Sequence, residues 1–238
     1  MAAMLPLERI LHTQGFGSRK VCRQIIRTGR VRIEGEVVDD PFQERETEGF
    51  NFEVDGVSWR YKAKAYVMLN KPAGYECSRS PKHHPSVLSL LPEPLVQRGV
   101  QPVGRLDEDT TGLLLLSDDG DFIHRLISPK HKVAKVYAVT TKHPITQAQV
   151  EQLRDGVVLH DSPEMVVALA CEQTGERELR LALSEGRYHQ VKRMVAASGN
   201  RVEALARVSI GGLALPDDLA AGAWCWLDEE ELGRLQQP

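Results

Sequence analysis

Asp107, Glu108 and Asp109 are consecutive carboxylates in the stretch P-V-G-R-L-D-E-D-T-T-G-L-L-L-L-S-D-D-G at 102–120, with Arg105 just ahead of them. Gly104 opens the loop, Gly112 closes it, and the run Leu113 to Leu116 follows at once, stopped by Ser117-Asp118-Asp119-Gly120. Four leucines bounded by turn formers read as a short buried strand. A charged loop fastened to a core strand can hold a reactive carboxylate still. Taken alone, Asp and Thr beside Gly also describe an ordinary turn.

Two metal readings compete for the same letters. Asp107-x-Asp109-x-Thr111 has the spacing of an aspartate-dependent phosphatase, in which one carboxylate attacks phosphorus beside Mg²⁺. That motif should follow an unbroken apolar strand, and Pro102 and Arg105 interrupt the approach. Asp107, Asp109, Thr111, Gly112 and Asp118 also imitate a calcium loop. There Pro102 lies where the entering helix should run, and Asp replaces the closing bidentate Glu. Neither reading is favoured, and no metal site is expected.

Other candidates lie far along the chain. A-Y-V-M-L-N-K-P-A-G-Y predicts a strand from Tyr66 to Leu69 and a turn at 70–74 that carries Lys71. Lys71 by itself is an ordinary turn lysine. K-H-K-V-A-K-V-Y-A-V-T-T predicts a strand through Val133 to Thr140, with Lys135 and Tyr137 on one face. That pairs a cation with a ring able to stack, although strand tyrosines are more often core. S-E-G-R-Y-H-Q-V-K-R-M-V-A-A-S-G-N predicts a helix from His189 to Ala197 with Lys192 and Arg193 near its first turn. Cations are unfavourable at a helix N-terminus unless an anion is close, so an acidic side chain or a phosphate is expected there.

The elements that must position these groups fit one large domain or two unequal ones, given 238 residues and 42% hydrophobic content. Cys22, Cys77, Cys171 and Cys225 are far apart, without metal-ligand spacing, as expected for free thiols in a reducing compartment. Pro6, Glu8 and Arg9 break any apolar signal core, and no window approaches the length of a membrane span. A cytoplasmic monomer is expected, with no membrane association. Helices are predicted at Phe122 to Ile127 and Gln147 to Asp155, and strands near Val157 to Leu159, Met165 to Cys171 and Leu179 to Leu183.

A net charge of -3 conceals a segregation along the chain. Arg9, Arg19, Lys20, Arg23, Arg27, Arg30 and Arg32 occur between residues 9 and 33 without one acid. Ser18 is placed to cap a helix from Arg19 to about Thr28, ended by Gly29, with Val21, Ile25 and Ile26 inward. An earlier helix is predicted from Leu5 to Gln14, and R-V-R-I-E-G-E-V-V around Gly35 predicts a hairpin. A face of one sign at this density needs a polyanion to neutralise it, which favours nucleic acid over a merely soluble helix face. This segment, over residues 5–50, resembles the S4 RNA-binding domain. The resemblance implies RNA docking through Arg19, Lys20, Arg23, Arg27 and Arg30, with a polar connector at 43–64 leading to the rest.

L-N-K-P-x-G at 69–74, G-R-L-D-x-x-T-x-G-L-L-L-L at 104–116, K-x-Y at 135–137, E-G-R-Y-H-Q-V-K-R-M at 185–194 and L-x-R-V-x-I-G-G at 205–212 together resemble the pseudouridine synthases. Their order is similar to that of the RsuA-type branch, which carries an N-terminal S4 domain and acts on ribosomal RNA. The resemblance implies that Asp107 starts cleavage of the uridine N1–C1′ bond, either by bonding to the sugar or by taking a proton from it. It implies that Lys192 pairs with Asp107, that Tyr137 stacks on the base and assists loss of the C5 proton, and that Arg105 fills the gap left by the extruded nucleotide. It further places Lys71, Lys135, Arg187, His189, Gln190 and Arg193 against RNA.

The implied architecture is α+β, a small S4-like module with its connector at 1–60 and a catalytic domain at 61–238 built on a mixed, mainly antiparallel sheet. The implied reaction is isomerisation of uridine 516 in 16S ribosomal RNA, free or in a small-subunit assembly intermediate, with no cofactor. A synthase acting on 23S ribosomal RNA and a non-catalytic assembly factor are the alternatives.

Overall fold

The structure is a computed structural model that describes residues 3–160 and 163–235. The chain divides into two compact units, one formed by residues up to 65 together with 91–101, the other by 66–90 and the remainder from 102 onward.

The first unit begins with β1 (Met4–Pro6), α1 (Leu7–Thr13) and α2 (Arg19–Arg27), and continues through β2 (Val31–Ile33), β3 (Glu36–Val37), β4 (Glu44–Glu46), β5 (Asn51–Val54) and β6 (Val57–Arg60). Ser18 caps α2 by accepting from the Val21 backbone N–H. Leu7, Ile10, Leu11, Cys22, Ile25, Ile26, Val31, Phe52 and Val54 form its core, and the Phe16 ring meets Phe52 and Trp59 edge-on. Val21, expected inward, is 47% exposed because the buried stripe of α2 runs through Cys22, Ile25 and Ile26 at helical spacing.

The stretch expected as a polar connector is largely strand. β5 and β6 pair across an Asp55-Gly56 turn and extend the β2–β3 hairpin into a four-stranded sheet of order β3-β2-β5-β6. Both turn residues have positive φ, the geometry of a two-residue hairpin. The Asp-Gly pair between Phe52-x-Val54 and Val57 was the local signal for it. A short helix, α3 (Glu93–Gln97), also belongs to this unit. Its Pro94 carbonyl approaches Gly15 so closely that any Cβ there would collide with it.

The second unit contains β7 (Tyr66–Lys71), β8 (Gln101–Pro102), β9 (Thr111–Ser117), α4 (Gly120–Ile127), β10 (Lys135–Thr141), α5 (Gln147–Asp155), β11 (Val157–Val158), β12 (Met165–Val166), β13 (Ala170–Gly175), β14 (Glu178–Leu183), α6 (Gln190–Ala197), β15 (Val202–Ile210), β16 (Leu213–Ala214), β17 (Trp224–Trp226) and α7 (Glu229–Arg234). Its sheet runs β13-β14-β10-β15-β9-β7-β17, with β8 beside β9 and β16 beside β15. Among the described residues β15 pairs with β9 in parallel, while the β13–β14, β14–β10, β10–β15, β15–β16, β9–β7 and β7–β17 pairings are antiparallel, so the sheet is mixed and mainly antiparallel and the fold is α+β.

Leu113 to Leu116 are wholly buried in β9, which explains an unbroken apolar run where a half-exposed strand would alternate. Where β9 begins, a Cβ on Gly112 would lie 2.3 Å from the Arg207 carbonyl oxygen, so only glycine permits this approach of β15. Met68, Leu113, Leu115, Phe122, Ile123, Leu126, Ile210 and Leu213 pack on one side as the central core. No helix among the described residues is long and apolar enough to cross a membrane.

Candidate active site

Residues 103–110 bridge β8 and β9, and they are held from below by the turn that follows β7. Lys71 is fully buried, and its Nζ donates to the carbonyl oxygens of Pro72 (3.0 Å), Glu108 (3.0 Å) and Thr110 (2.8 Å). The Gly74 N–H donates to the same Glu108 oxygen at 2.8 Å. Burial pushes the Lys71 amine below its ordinary pKa, while Cys77 and the carboxylates above it oppose the shift. Its amine is spent on fixing the acidic loop. This corrects the expectation that Lys71 meets RNA.

Asp107 projects from that loop toward the N-terminus of α6. Lys192 Nζ lies 3.4 Å from Asp107 Oδ2, and His189 Nε2 lies 3.4 Å from Oδ1. The shorter contacts of Lys192 are to Asp109, both of whose oxygens accept from it at 2.7 and 2.8 Å. The expected clamp on Asp107 is therefore shared, with Asp109 the nearer partner. Burial disfavours ionisation of Asp109, but the Lys192 hydrogen bond and charge outweigh it and hold the carboxyl below its ordinary value. Burial likewise opposes the Lys192 ammonium, and the two aspartates reverse the balance and raise its pKa. These aspartates are the anion that a cation at a helix N-terminus requires. The ammonium also stands between the two carboxylates that the phosphatase reading would give to Mg²⁺.

The loop ahead of α6 braces itself. Gln190 is 4% exposed; its Oε1 accepts from the Arg187 N–H at 2.7 Å and its Nε2 donates to Glu185 at 3.3 Å. Arg187 pairs with Glu164 at 2.9 Å and Glu185 at 3.2 Å. Arg193 donates to the Tyr188 carbonyl at 3.0 Å. Gln190 is thus a buried brace, where an RNA contact was expected. His189 adopts a left-handed backbone (φ 47) at the start of α6 and stacks against the exposed Tyr188 ring at 3.8 Å. Such strain in a non-glycine residue is retained where surrounding contacts fix it, and these positions cluster at functional sites.

Tyr137 reaches the same place from β10. Asp107, Tyr137, Lys192, Arg105, Arg187, His189 and Gln190 line one cleft, although they come from three separated parts of the chain. Tyr137, Lys135, Arg105 and Arg187 also line an adjoining cavity of about 240 Å³ walled by Val103, Leu115, Leu126 and Ile210. Arg105 is exposed at the mouth. Among the described residues, no cluster of three or more His, Cys, Asp or Glu is arranged to hold a metal.

The S4-like cations divide into two sets. Arg23 is hydrogen bonded to Glu8, and Arg30 is bidentate to Asp55 at 2.7 and 2.5 Å. Arg19, Lys20 and Arg27 are exposed. Glu8 lies just before the acid-free run and Asp55 far beyond it, so counting charges along the sequence missed both pairings.

The sequence profile described as RNA pseudouridylate synthase matches residues 65–197, and that of the S4 domain matches residues 5–42. The chain belongs to the RNA pseudouridylate synthase family. The Yersinia pestis protein named ribosomal small subunit pseudouridine synthase A is 40% identical over 98% of both chains. A Bacillus subtilis relative, called uncharacterized RNA pseudouridine synthase YtzG, is 35% identical over 98% of both. A crystal structure titled pseudouridylate synthase shares 34% identity and superposes with a TM-score of 0.69, covering 97% of this chain and 99% of that one. This synthase therefore combines the family's catalytic fold with an S4 domain and is an RNA-modifying isomerase.

Proposed function

We propose that this synthase converts a uridine of 16S ribosomal RNA to pseudouridine, at uridine 516, in the cytoplasm and as a monomer. Residues 1–60 dock the RNA and residues 61–238 carry the chemistry. The observation that supports this most directly is the carboxylate of Asp107 within 3.4 Å of both Lys192 and His189, in a cleft shared with Tyr137. The names of the relatives support the small-subunit target over a 23S one.

A uridine within folded RNA has to be unstacked and turned outward before its glycosidic bond is reachable, at a cost of a few kcal/mol. Tyr137 receives the everted base by stacking, and exposed Arg105 fills the space left behind. Asp107, 3.4 Å from the Lys192 ammonium, either bonds to C1′ as N1 leaves or takes the proton from C2′. The free ring turns, C5 bonds to C1′, and the C5 proton departs with help from the Tyr137 oxygen. Enclosure keeps the detached ring from escaping into water.

Release of tritium from 16S RNA labelled at uridine C5 tests the reading, because that hydrogen has to leave. Tritium should be released once per RNA, and Asp107→Asn should abolish release while RNA affinity persists. No release from free 16S RNA or from small-subunit assembly intermediates defeats the proposal and leaves the non-catalytic assembly role. Release from 23S RNA alone would redirect the target.

A further inference from the structure

Among the described residues, two buried side-chain polar atoms lack a hydrogen-bond partner, Thr110 Oγ1 and Arg207 Nη2. Both residues line the cleft system around Tyr137. Arg207 is only 3% exposed, and its Nε donates to the Leu113 carbonyl at 2.9 Å, which fixes the guanidinium in place. Tyr137 and Arg207 are opposite one another in the β10–β15 ladder, so their side chains share a face. A bulge between Val136 and Tyr137 shifts the register there, and Lys135 comes to line the same 240 Å³ cavity. Lys135 Nζ donates to the Val133 carbonyl at 2.9 Å, and no carboxylate of the described residues pairs with it or with Arg207. Burial and the charge of Arg207 together lower the Lys135 pKa to about 8. Glu185 lines the same cavity but is paired with Arg187, and two sequestered cations with no carboxylate of their own are costly unless something bearing acceptor oxygens occupies the space between them.

We propose that Arg207 and Lys135 form the polar end of the uracil pocket, where they hold a ring carbonyl oxygen and take up the negative charge released when the C1′–N1 bond breaks. This inference rests on the uridine isomerase reading and adds leaving-group stabilisation to it. Apolar walls from Val103, Leu115, Leu126 and Ile210, with Tyr137 alongside, suit a flat base and would be poor surroundings for a phosphate.

The electron pair of the broken C1′–N1 bond goes to the ring, where it spreads over N1, O2 and O4. C1′ gains a bond to the Asp107 oxygen, or C2′ gives its proton to Asp107 and the pair of that C2′–H bond forms the C1′=C2′ double bond of a glycal. In the return step C5 bonds to C1′ as the Asp107 bond breaks, or as C2′ regains its proton from Asp107; the C5 proton then passes by way of the Tyr137 oxygen to solvent while N1 takes up a proton from solvent, which leaves the product ring neutral. Donors aimed at the carbonyl oxygens stabilise the anion common to both routes. The ring has to turn about the axis through N3 and C6 to exchange C5 for N1. That turn also exchanges O2 with O4, so the same two donors meet a carbonyl oxygen before and after it.

The test is a leaving-group comparison using RNA with uridine or 5-fluorouridine at the target, since fluorine makes the ring a better leaving group. Single-turnover loss of the target nucleoside is followed by nuclease digestion and mass spectrometry at saturating enzyme. Arg207→Lys and Lys135→Met should each slow the uridine substrate about 100-fold, the scale of losing one charge-stabilising donor. The 5-fluorouridine substrate should lose roughly tenfold or less, with RNA affinity unchanged. Equal losses on both substrates overturn the proposal. So does weakened affinity with normal turnover at saturation and a salt slope reduced by about one, which would mark a phosphate contact. If Arg207→Lys fails to fold, as judged by its thermal melt, Lys135→Met decides the matter alone. An unmodified protein inactive on both substrates would defeat the isomerase reading instead.

Discussion

Lys192 lies between Asp109, to which it donates at 2.7 and 2.8 Å, and Asp107, 3.4 Å away. One ammonium thus serves two carboxylates, and removing it leaves like charges facing each other. Lys192→Met should let the Asp109 carboxyl rise above its present depressed pKa, because the hydrogen bond and charge that lower it are gone. Carboxyl NMR titration measures this directly. Turnover should fall by about two orders of magnitude as the reactive carboxylate loses its compensation. Asp109→Asn should cost roughly tenfold, since Lys192 remains and can move to Asp107. A loss as complete as that of Asp107→Asn would show that Asp109 has a more direct part.

Lys71 offers a sharper structural test. Lys71→Met retains most of the side-chain volume but takes the buried donor from the carbonyls of Pro72 and Thr110, while the Glu108 oxygen keeps only the Gly74 N–H. Stranded buried carbonyls cost about 1–3 kcal/mol each at most, partly recovered by relaxation, so the expected destabilisation is roughly 2–4 kcal/mol. Urea unfolding gives the value. Since these carbonyls belong to the loop that bears Asp107, turnover should also fall at temperatures where the variant is folded. RNA affinity should be unaffected, and weakened binding in a folded variant would restore an RNA role for this lysine.

RNA affinity should respond unequally to the basic residues of α2. Arg19→Gln, Lys20→Gln or Arg27→Gln removes an exposed cation and should reduce the salt slope of binding by about one each if it meets a phosphate. Arg23 and Arg30 are already neutralised by Glu8 and Asp55, so Arg23→Gln and Arg30→Gln should change the slope less. Arg23→Gln should also lower stability, because Glu8 is 7% exposed and would lose the partner that depresses its pKa. Equal slopes across all five variants would mean that the pairs open when RNA binds.

The legible parts of this protein were those where neighbouring letters decide the outcome. The leucine run, the Ser18 cap and the helix at 147–155 are local, and they appear where residue order puts them. Placing Asp107, Tyr137 and Lys192 together needed motif order, because nothing in each segment points to the others. Features that depend on distant partners stayed hidden. Lys71 reads as a turn lysine until three carbonyls surround it, and Gln190 reads as polar until Glu185 and the Arg187 backbone claim it. Arg207 reads as one more strand arginine, and its burial goes with the place of β15 between β10 and β9, which residue order does not give.

Lys135 gives the uracil pocket a pH signature of known sign. Burial and neighbouring Arg207 from β15 disfavour its ammonium, so it loses its proton near pH 8, well below an ordinary lysine. The other charged groups lining that cavity are Arg105 from the loop before β9 and the mutually paired Glu185 and Arg187 from the loop before α6. If the ammonium stabilises the departing ring, kcat/KM should hold steady below about pH 8 and fall above it as the charge is lost. Lys135→Arg keeps its charge throughout, so the alkaline fall should vanish even if the plateau is lower. The same shift should make the unmodified protein gain folding stability with pH between about 8 and 10.5, where only the unfolded chain still holds that proton. A profile that stays flat past pH 9 in the unmodified protein, or an alkaline fall that survives in Lys135→Arg, would remove Lys135 from the charge-bearing end of the pocket.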